Sequence, residues 1–301
     1  GRLNFDSGIA IGAVLILPAI AAFVIDLLTS SGNPLAYTTA AKRVEKSPVR
    51  DVLCGCFFVV LVLFLVSPLV VFALIAFVVK YPINMAFTLA NIGRAMVFGI
   101  GSYLLNSLVI SAAVSVIGAF LTWFAAYISA RVPGKFGHAL HLVCITTMAI
   151  PGVVLGLAYM LFFKGSVLYG TIGILILVNL VHFFASPYLM AYNALNKLNT
   201  NLEAVGQTIG IPRFRMIKEV FLPQTKSTFM EMASYFFVNC MVTISAVSFL
   251  SNVAHMPLAL LISDFDTQML VECAALVALV IFVTNVAAKI VFAILKKTTL
   301  M

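Results

Sequence analysis

The residues best suited to metal or proton chemistry are histidines, two of which are close together in the sequence. His138 and His141 are three residues apart, so on a helix they would lie on one face and could bind a metal ion together. They lack the glutamate and the spacing of the H-E-x-x-H zinc motif, and no third ligand is evident. We therefore interpret them as interface histidines, and we predict no catalytic residue and no metal site.

The polar segment 201–223, NLEAVGQTIGIPRFRMIKEVFLP, has the features of a binding element. Residues 199–201 offer side-chain oxygens that can cap a helix, and Glu203 then lies in the first turn, where the positive end of a helix favours a carboxylate. Gly210 suits a left-handed C-terminal cap, and Pro212 suits the first turn of a second helix. The sequence predicts two short helices joined by a tight elbow.

The second of these helices, predicted at about 212–221, has one apolar face and basic residues on its other faces. Its apolar residues recur at spacings of three and four, at Phe214, Ile217 and Phe221. Its basic residues are Arg213, Arg215 and Lys218. Pro223 is expected to end the helix. Such a stripe can lie on a membrane surface with its basic residues at anionic headgroups, or dock into a groove of a partner protein.

The composition places these elements in a membrane protein. Of the 301 residues, 63% are hydrophobic and only 9% are charged, against about 25% charged in soluble domains. A membrane-spanning helix needs about 20 apolar residues. Runs of this length predict an all-α polytopic membrane protein with seven spans, at about 8–28, 53–79, 101–130, 139–163, 169–195, 228–250 and 269–295.

The distribution of basic residues predicts the orientation. If the loops alternate sides, Arg2, Lys80, Arg94 and Lys164 fall on one side, which leaves 14 of the 18 lysines and arginines for the other. The richer side is expected to be cytoplasmic. This places the loop 196–226 and the C-terminus inside the cell, and the loop 251–268 outside. Segment 81–102 is too polar for the bilayer core and is predicted to be an interfacial helix on the outer surface.

The polar segment resembles the EAA loop of bacterial ABC-importer permeases. The resemblance rests on the order Glu203, Ala204, Val205 and Gly210, and on Pro223 thirteen residues after that glycine. In the family, this loop is the coupling helix that sits in a cleft of the ATP-binding subunit. One position departs from the pattern, because the usual carboxylate six residues before the glycine is replaced by Ala204, with Glu203 one residue earlier.

The resemblance covers about 53–297 and implies a six-helix permease core. The segments TMAIPGVVLGLAY and VNCMVTISAVSFL are similar to the ferric-iron and 2-aminoethylphosphonate branch, in which two permease halves are often fused. It therefore implies that 1–51 is a transmembrane helix and cytoplasmic linker ending a preceding half. Residues 52–301 would then form the six-helix permease domain with its cytoplasmic coupling loop 196–226.

The resemblance also implies the partners and the location. We expect ABC ATPase subunits that carry the ATP and Mg²⁺, an extracytoplasmic substrate-binding protein, a second permease half and the lipid bilayer of the bacterial inner membrane. We expect no cofactor bound by this chain and no nucleic-acid partner; the cargo is expected to be ferric iron or a phosphonate. The residues assigned to ATPase coupling are Glu203, Ala204, Gly210, Pro212, Arg213, Phe214, Arg215, Ile217, Lys218, Phe221 and Pro223.

An ion-coupled secondary transporter is the alternative function. Such carriers need ionisable groups deep in their spans, whereas the charged residues nearest the spans lie at predicted ends, where long side chains can reach the interface. They are Asp26, Glu231, Glu272 and Lys289. The chain has no G-x-x-x-x-G-K-[ST] sequence to hold nucleotide phosphates. A separate ATPase is consistent with both observations.

A few polar or helix-breaking residues inside the spans are candidates to line a substrate route. Pro151 and Gly152 interrupt the span 139–163, and this break serves either helix packing or the lining of a cavity. His182 is interpreted either as a packing residue or as part of the route. Hydrogen bonds between helices are the default role for polar residues in spans. As candidates to face the route we also choose Asn239, Thr243 and Ser248.

Overall fold

The computed structural model describes residues 47–132 and 134–300, together with a few isolated helical positions between 14 and 25. The predicted first span at 8–28 and most of the linker 29–51 lie outside the described residues. The division into 1–51 and 52–301 therefore stays a prediction.

The described residues are predominantly helical, as predicted. Three helices are long and apolar enough to cross a membrane, and two sharply bent helix pairs could each form one more span. The long helices are α1 (Pro48–Ala76), α3 (Ile100–Arg131) and α13 (Val271–Leu300). The bent pairs are α4 (Lys135–Thr146) with α5 (Gly152–Phe163), and α6 (Ile172–His182) with α7 (Ala185–Asn196). The fold class is all-α, with a small hairpin.

The segment between α1 and α3 differs from its prediction. Instead of one interfacial helix over 81–102, it contains the antiparallel strands β1 (Val78–Lys80) and β2 (Asn84–Phe87), followed by the short helix α2 (Ala90–Val97). Buried Asn91 donates to the carbonyls of Ala76 and Val78. The backbone N–H of Tyr81 donates to Glu272 at the start of α13. These distant partners fix the hairpin, and the local amphipathic pattern does not reveal them.

The break at Pro151 is sharper than a kink. A 3₁₀ turn, Thr147–Ala149, ends the first helix of the pair, and α5 leaves at 105° to it. Pro151 precedes α5 as its N-cap, where its missing N–H costs no helical hydrogen bond. The pair α6 and α7 is bent by 51° at residues 183–184, and Pro187 lies in the first turn of α7.

The predicted span 228–250 is wrong over its last third. Helix α11 covers Lys226–Val242, and the chain then runs through turns to α12 (Leu258–Thr267). The turn region packs directly on α5, because a Cβ added at Gly156 would lie 2.6 Å from the carbonyl oxygen of Ala246. Non-helical backbone is tolerated in an apolar bundle where protein covers it. Hydropathy alone does not distinguish this packed turn from the end of a helix.

Helix α3 is the central element that positions the loop at 197–225. Buried Trp123 and Ala119 belong to a core cluster with residues of α7, α11 and the loop. Gly118 lets the ring of Phe236 in α11 approach closely, since an added Cβ would be 2.8 Å from it. Ser115 Oγ donates to the carbonyl of Ala233 at 2.7 Å. α3 and α11 are therefore tightly joined along their lengths.

Candidate functional site

We call the loop at 197–225 the elbow, and each of its two helical parts an arm. The first arm is α8 (Leu202–Thr208), and it ends as the sequence predicts. Gly210 has a φ of +74°, in the left-handed region. The N–H of Ile211 donates to the carbonyl of Gly206 at 2.8 Å, and that of Gly210 to the carbonyl of Gln207 at 3.2 Å. This pair of bonds is a Schellman cap, which satisfies carbonyls at a helix end. The arm therefore turns sharply at Gly210.

The beginning of α8 differs in one detail from its prediction. Asn201 occupies the N-cap position, but its side chain makes no capping hydrogen bond. The amide oxygen of Asn199 instead accepts from the backbone N–H of Asn201 at 2.9 Å. Glu203 does lie in the first turn, as predicted.

The second arm is shorter and more irregular than predicted. After Pro212 come α9 (Arg213–Met216), a π-helical turn (Ile217–Phe221) and α10 (Leu222–Gln224), which leads into α11. Pro223 does not end the arm, because it lies in the first turn of α10, where no N–H is needed. The wider π turn also breaks the three-and-four spacing.

The predicted apolar stripe is consequently split between two faces. Phe214 is 75% exposed, whereas Phe221 is fully buried and Ile217 is half-buried. The two arms pack on each other at Gly206, where an added Cβ would overlap the sulfur of buried Met216. The sequence analysis did not identify this close approach, although a glycine inside a short helix can indicate a packing reason of this kind.

The elbow is anchored to α3 through Arg131, which the sequence analysis did not assign to this site. Its Nε and Nη2 donate to the two carboxylate oxygens of Glu203, each at 2.6 Å. Nη1 donates to the carbonyl of Leu198 at 3.2 Å, and Nη2 also donates to that of Asn199 at 2.7 Å. The side chain of Arg131 is only 4% exposed and that of Glu203 20%. A bidentate, partly buried pair of this kind fixes orientation.

Aromatic side chains complete the inner wall of the elbow. The guanidinium carbon of Arg131 lies 5.1 Å from the centre of the Phe221 ring, a cation–π distance. Tyr127 meets Phe221 edge-on at 5.4 Å and stacks on Trp123 at 5.8 Å. The indole N–H of Trp123 donates to Thr225 Oγ1 at 2.8 Å. We define the inner wall as Tyr127, Arg131, Glu203, Phe221 and Thr225.

The opposite surface of the elbow is exposed and mixes apolar with basic side chains. We call this the docking face, and define it as Val205, Ile209, Arg213, Phe214, Arg215 and Lys218, all of which are exposed. Arg215 pairs with Glu219 one turn later at 3.0 Å, and both side chains are exposed. Ala204 and Pro212 are also exposed. A cleft of about 260 Å³ between the elbow and the end of α3 is lined by Tyr127, Arg131 and Glu203 of the inner wall and by Arg213 of the docking face, together with Thr200, Ala204 and Gln207.

The residues chosen for a substrate route lie in different settings. Gly152 begins α5 against two polar side chains, because an added Cβ would lie 2.5 Å from Ser245 Oγ and 2.9 Å from His182 Cε1. Asn239 donates to the carbonyl of Tyr235 within α11, and Thr243, which follows α11, donates to the carbonyl of Asn239. Exposed Ser248 donates to the carbonyl of Ser245 at 3.2 Å. The structure thus brings Gly152, His182 and Ser245 together.

The two histidines lie in different settings, since His138 is exposed and His141 packs against aromatic side chains. His141 Nδ1 is 2.7 Å from the hydroxyl of Tyr188, and its ring lies against Tyr192 at 4.4 Å. Within residues 47–132 and 134–300, no three His, Cys, Asp or Glu side chains are grouped to hold a metal ion.

Comparison with known proteins identifies relatives of most of the chain. A model of the family described as "binding-protein-dependent transport system inner membrane component" matches residues 118–300. A Haemophilus influenzae protein named as a ferric transport system permease, FbpB 1, is 24% identical over 263 residues. The ferric transport system permease protein FbpB of Actinobacillus pleuropneumoniae is 23% identical over 263 residues. Both alignments cover 83% of this chain, but only 41% and 38% of the relatives.

A solved structure shows the same fold. It is that of a bacterial ABC transporter involved in the import of the acidic polysaccharide alginate, with a TM-score of 0.69 and 14% identity. The match covers 83% of this chain and 96% of that chain. The range matched by the family model includes Arg131 and the whole elbow.

Proposed function

The chain belongs to the family of binding-protein-dependent transport system inner membrane components, and from this premise we propose that it lines the translocation pathway of an ABC importer and couples it to separate ATPase subunits. The observation that carries the coupling role is the two-sided elbow. One side is anchored to α3 through Arg131 and Phe221, and the other exposes Phe214 among basic residues. A part that receives force from a partner needs both a contact surface and a stiff attachment.

The docking face favours a protein groove over the lipid surface. Its exposed apolar residues come from both arms of a bent element rather than from one straight amphipathic helix. Exposed Arg213, Arg215 and Lys218 lie within four residues of Phe214, a combination that would complement an acidic rim around an apolar cleft. Such complementarity sets register and speeds association more than it adds affinity.

We propose a transport cycle with the following steps. The extracytoplasmic binding protein docks on the outer loops, 81–100 and 251–268. Two ATPase subunits, which hold ATP and Mg²⁺, close and displace the elbows from the cytoplasmic side. The permease half formed here then rocks against a second half, supplied by the same polypeptide or by another chain. No covalent chemistry takes place in this chain.

Ferric iron is the cargo that we propose. The support is that both curated relatives are named as permeases of ferric transport systems. Selectivity is assigned to the binding protein, and a phosphonate is the second candidate cargo, from the resemblance of the two span segments. Thermal shift of the cognate binding protein with Fe³⁺ and with 2-aminoethylphosphonate separates the two, because a ligand that binds the native fold raises its melting temperature.

Photo-crosslinking tests the docking face directly. A photoreactive phenylalanine analogue at position 214, in the assembled transporter, is expected to label an ATPase subunit. The matched control carries the analogue at Ile83, which is 81% exposed in the hairpin turn at the opposite end of α3. That position should label no ATPase. Labelling of lipid alone from position 214 would contradict the coupling role and favour the membrane-surface alternative.

Dependence on ATP separates the importer from an ion-coupled carrier. We expect uptake of ⁵⁵Fe³⁺ into proteoliposomes that contain the permease, its ATPase and the loaded binding protein to require ATP. Uptake that continues without ATP and collapses with an ionophore would establish the secondary transporter instead.

A further inference from the structure

Because the carboxylate of Glu203 is paired within the chain, it has little capacity left to bind a group of an ATPase. Both of its oxygens accept from Arg131, and the position where the family carries its carboxylate is occupied by exposed Ala204. A carboxylate held in a bidentate pair with a nearly fully buried arginine is oriented toward its own chain. In this chain Glu203 therefore attaches the elbow to α3.

Arg131 lies at the last residue of a continuous helix of 32 residues, which spans about 48 Å at 1.5 Å per residue. Its guanidinium contacts both arms of the elbow, through Glu203 and the carbonyls of Leu198 and Asn199 on one side and the ring of Phe221 on the other. A displacement of either arm is therefore transmitted to the end of α3.

The other end of α3 is joined to the segment between α11 and α12. Asn106 Nδ2 donates to the carbonyls of Ala254 and Met256, at 3.1 and 3.3 Å. Buried Ser107 Oγ accepts from the backbone N–H of Leu258 at 2.7 Å. Segment 254–258 lies within the loop 251–268, which we propose to contact the binding protein.

We infer that Arg131 is a positioning residue that couples the elbow to α3, and through α3 to segment 254–258 at the opposite end of the bundle. Binding-protein docking and ATPase engagement then bias the position of the same helix. Since coupling between two binding events is reciprocal, each partner changes the affinity of the other by the same factor. This inference rests on the proposed function.

The test uses the complete transporter in proteoliposomes, with Fe³⁺-loaded binding protein as the probe. In Arg131→Lys the charge remains, but the bidentate fork and the bonds to the two carbonyls are lost. We expect the ATPase to remain assembled, while the stimulation of ATP hydrolysis by the binding protein falls about tenfold, within the usual range of coupling strengths. Glu203→Gln should act in the same direction, and it keeps the shape of the side chain.

The outer end is tested by Ser107→Ala and by a double-mutant cycle. If both residues act through α3, the effects of Arg131→Lys and Ser107→Ala on the stimulation of ATP hydrolysis are non-additive. The effects of substitutions at independent, distant sites are additive. Additive effects would overturn the connection through α3.

The matched control is Lys296→Met. Lys296 pairs with Glu231 and joins α13 to α11 near the start of α11, and neither residue belongs to the elbow. Both side chains are partly exposed, so loss of the pair should change little. We expect stimulation within about twofold of the wild type.

The inference about Arg131 and the proposed function fail on different results. The inference is wrong if the Arg131→Lys transporter keeps full stimulation of ATP hydrolysis and full uptake per assembled complex. It is also wrong if the substitution lowers only the yield or the thermal stability of the complex. A wild-type chain that neither crosslinks an ATPase nor needs ATP for uptake overturns the proposed function itself.

Discussion

The docking face lies on the two arms of the elbow alone, whereas the inner wall combines residues of these arms with Tyr127 and Arg131 of α3, and the side chains of the two surfaces lie in opposite environments. On the inner wall, Phe221 is fully buried and Arg131 has a partner for each of its three guanidinium nitrogens. On the docking face, Phe214 is 75% exposed, and Arg215 pairs with the exposed carboxylate of Glu219 one turn away. The side chains of the inner wall find their contacts and hydrogen bonds within the chain. Those of the docking face leave apolar and cationic groups exposed, where a partner could bind them.

Two phenylalanines of one predicted stripe therefore lie in different environments, and we expect them to have different roles. A substitution on the inner wall should act first on folding and on the attachment of the elbow. A substitution on the docking face should leave the fold intact and act on assembly. Variants on the two sides therefore test the division.

Phe221→Ala should have the largest effect on stability. It removes a fully buried ring that contacts Tyr127 and Arg131, and large-to-small changes of buried aromatics cost about 3–5 kcal/mol. Thermal unfolding of the detergent-purified protein measures the loss. An unchanged melting temperature would contradict the assignment of Phe221 to the inner wall.

Gly210→Val should come next. The backbone at this position has a φ of +74°, and a β-branched residue there costs about 1–3 kcal/mol. We expect ATP hydrolysis to become uncoupled from uptake in proteoliposomes while the spans stay folded. Gly210→Asn is the matched control, since asparagine tolerates the left-handed region. Equal loss in both variants would show that the conformation of the backbone is not the cause.

Gly206→Ala should be somewhat milder, because the atom it meets belongs to a flexible side chain. The added Cβ would overlap Met216 Sδ, and overpacking costs about 1–3 kcal/mol. The double variant Gly206→Ala/Met216→Ala should recover part of the coupling, measured as uptake per ATP hydrolysed. Failure of the double variant to recover would argue against steric contact between the arms.

Phe214→Ala should change stability least and assembly most clearly. Surface substitutions usually alter stability by less than about 0.5 kcal/mol, so the melting temperature should be unchanged. Co-purification of the ATPase should fall, because apolar anchors in a cleft supply much of the binding energy. A decrease in melting temperature as large as that of Phe221→Ala would show that the two faces do not differ in their contribution to stability.

Several parts of the fold could be predicted from local patterns. Gly210 and the helix before it follow from the requirement for a left-handed cap, and the long apolar runs predict α1, α3 and α13. The turn region after Val242 could not be predicted, because its apolar residues are covered by α5 and are as hydrophobic as a helix would be. The hairpin at 78–87 depends on Asn91 and Glu272, whose partners are distant in sequence or set by tertiary contacts.

The sequence by itself determined the membrane-protein class, the all-α architecture and the position of the elbow, because hydrophobic run length and glycine and proline spacing act locally along the chain. Only the tertiary structure decided which side of the elbow is attached and which is free. Arg131 and Glu203 are 72 residues apart, and the π turn at Ile217–Phe221 moves Phe221 away from the face of Phe214. A bidentate ion pair and the burial of a ring depend on packing between elements, which residue spacing within one segment does not encode.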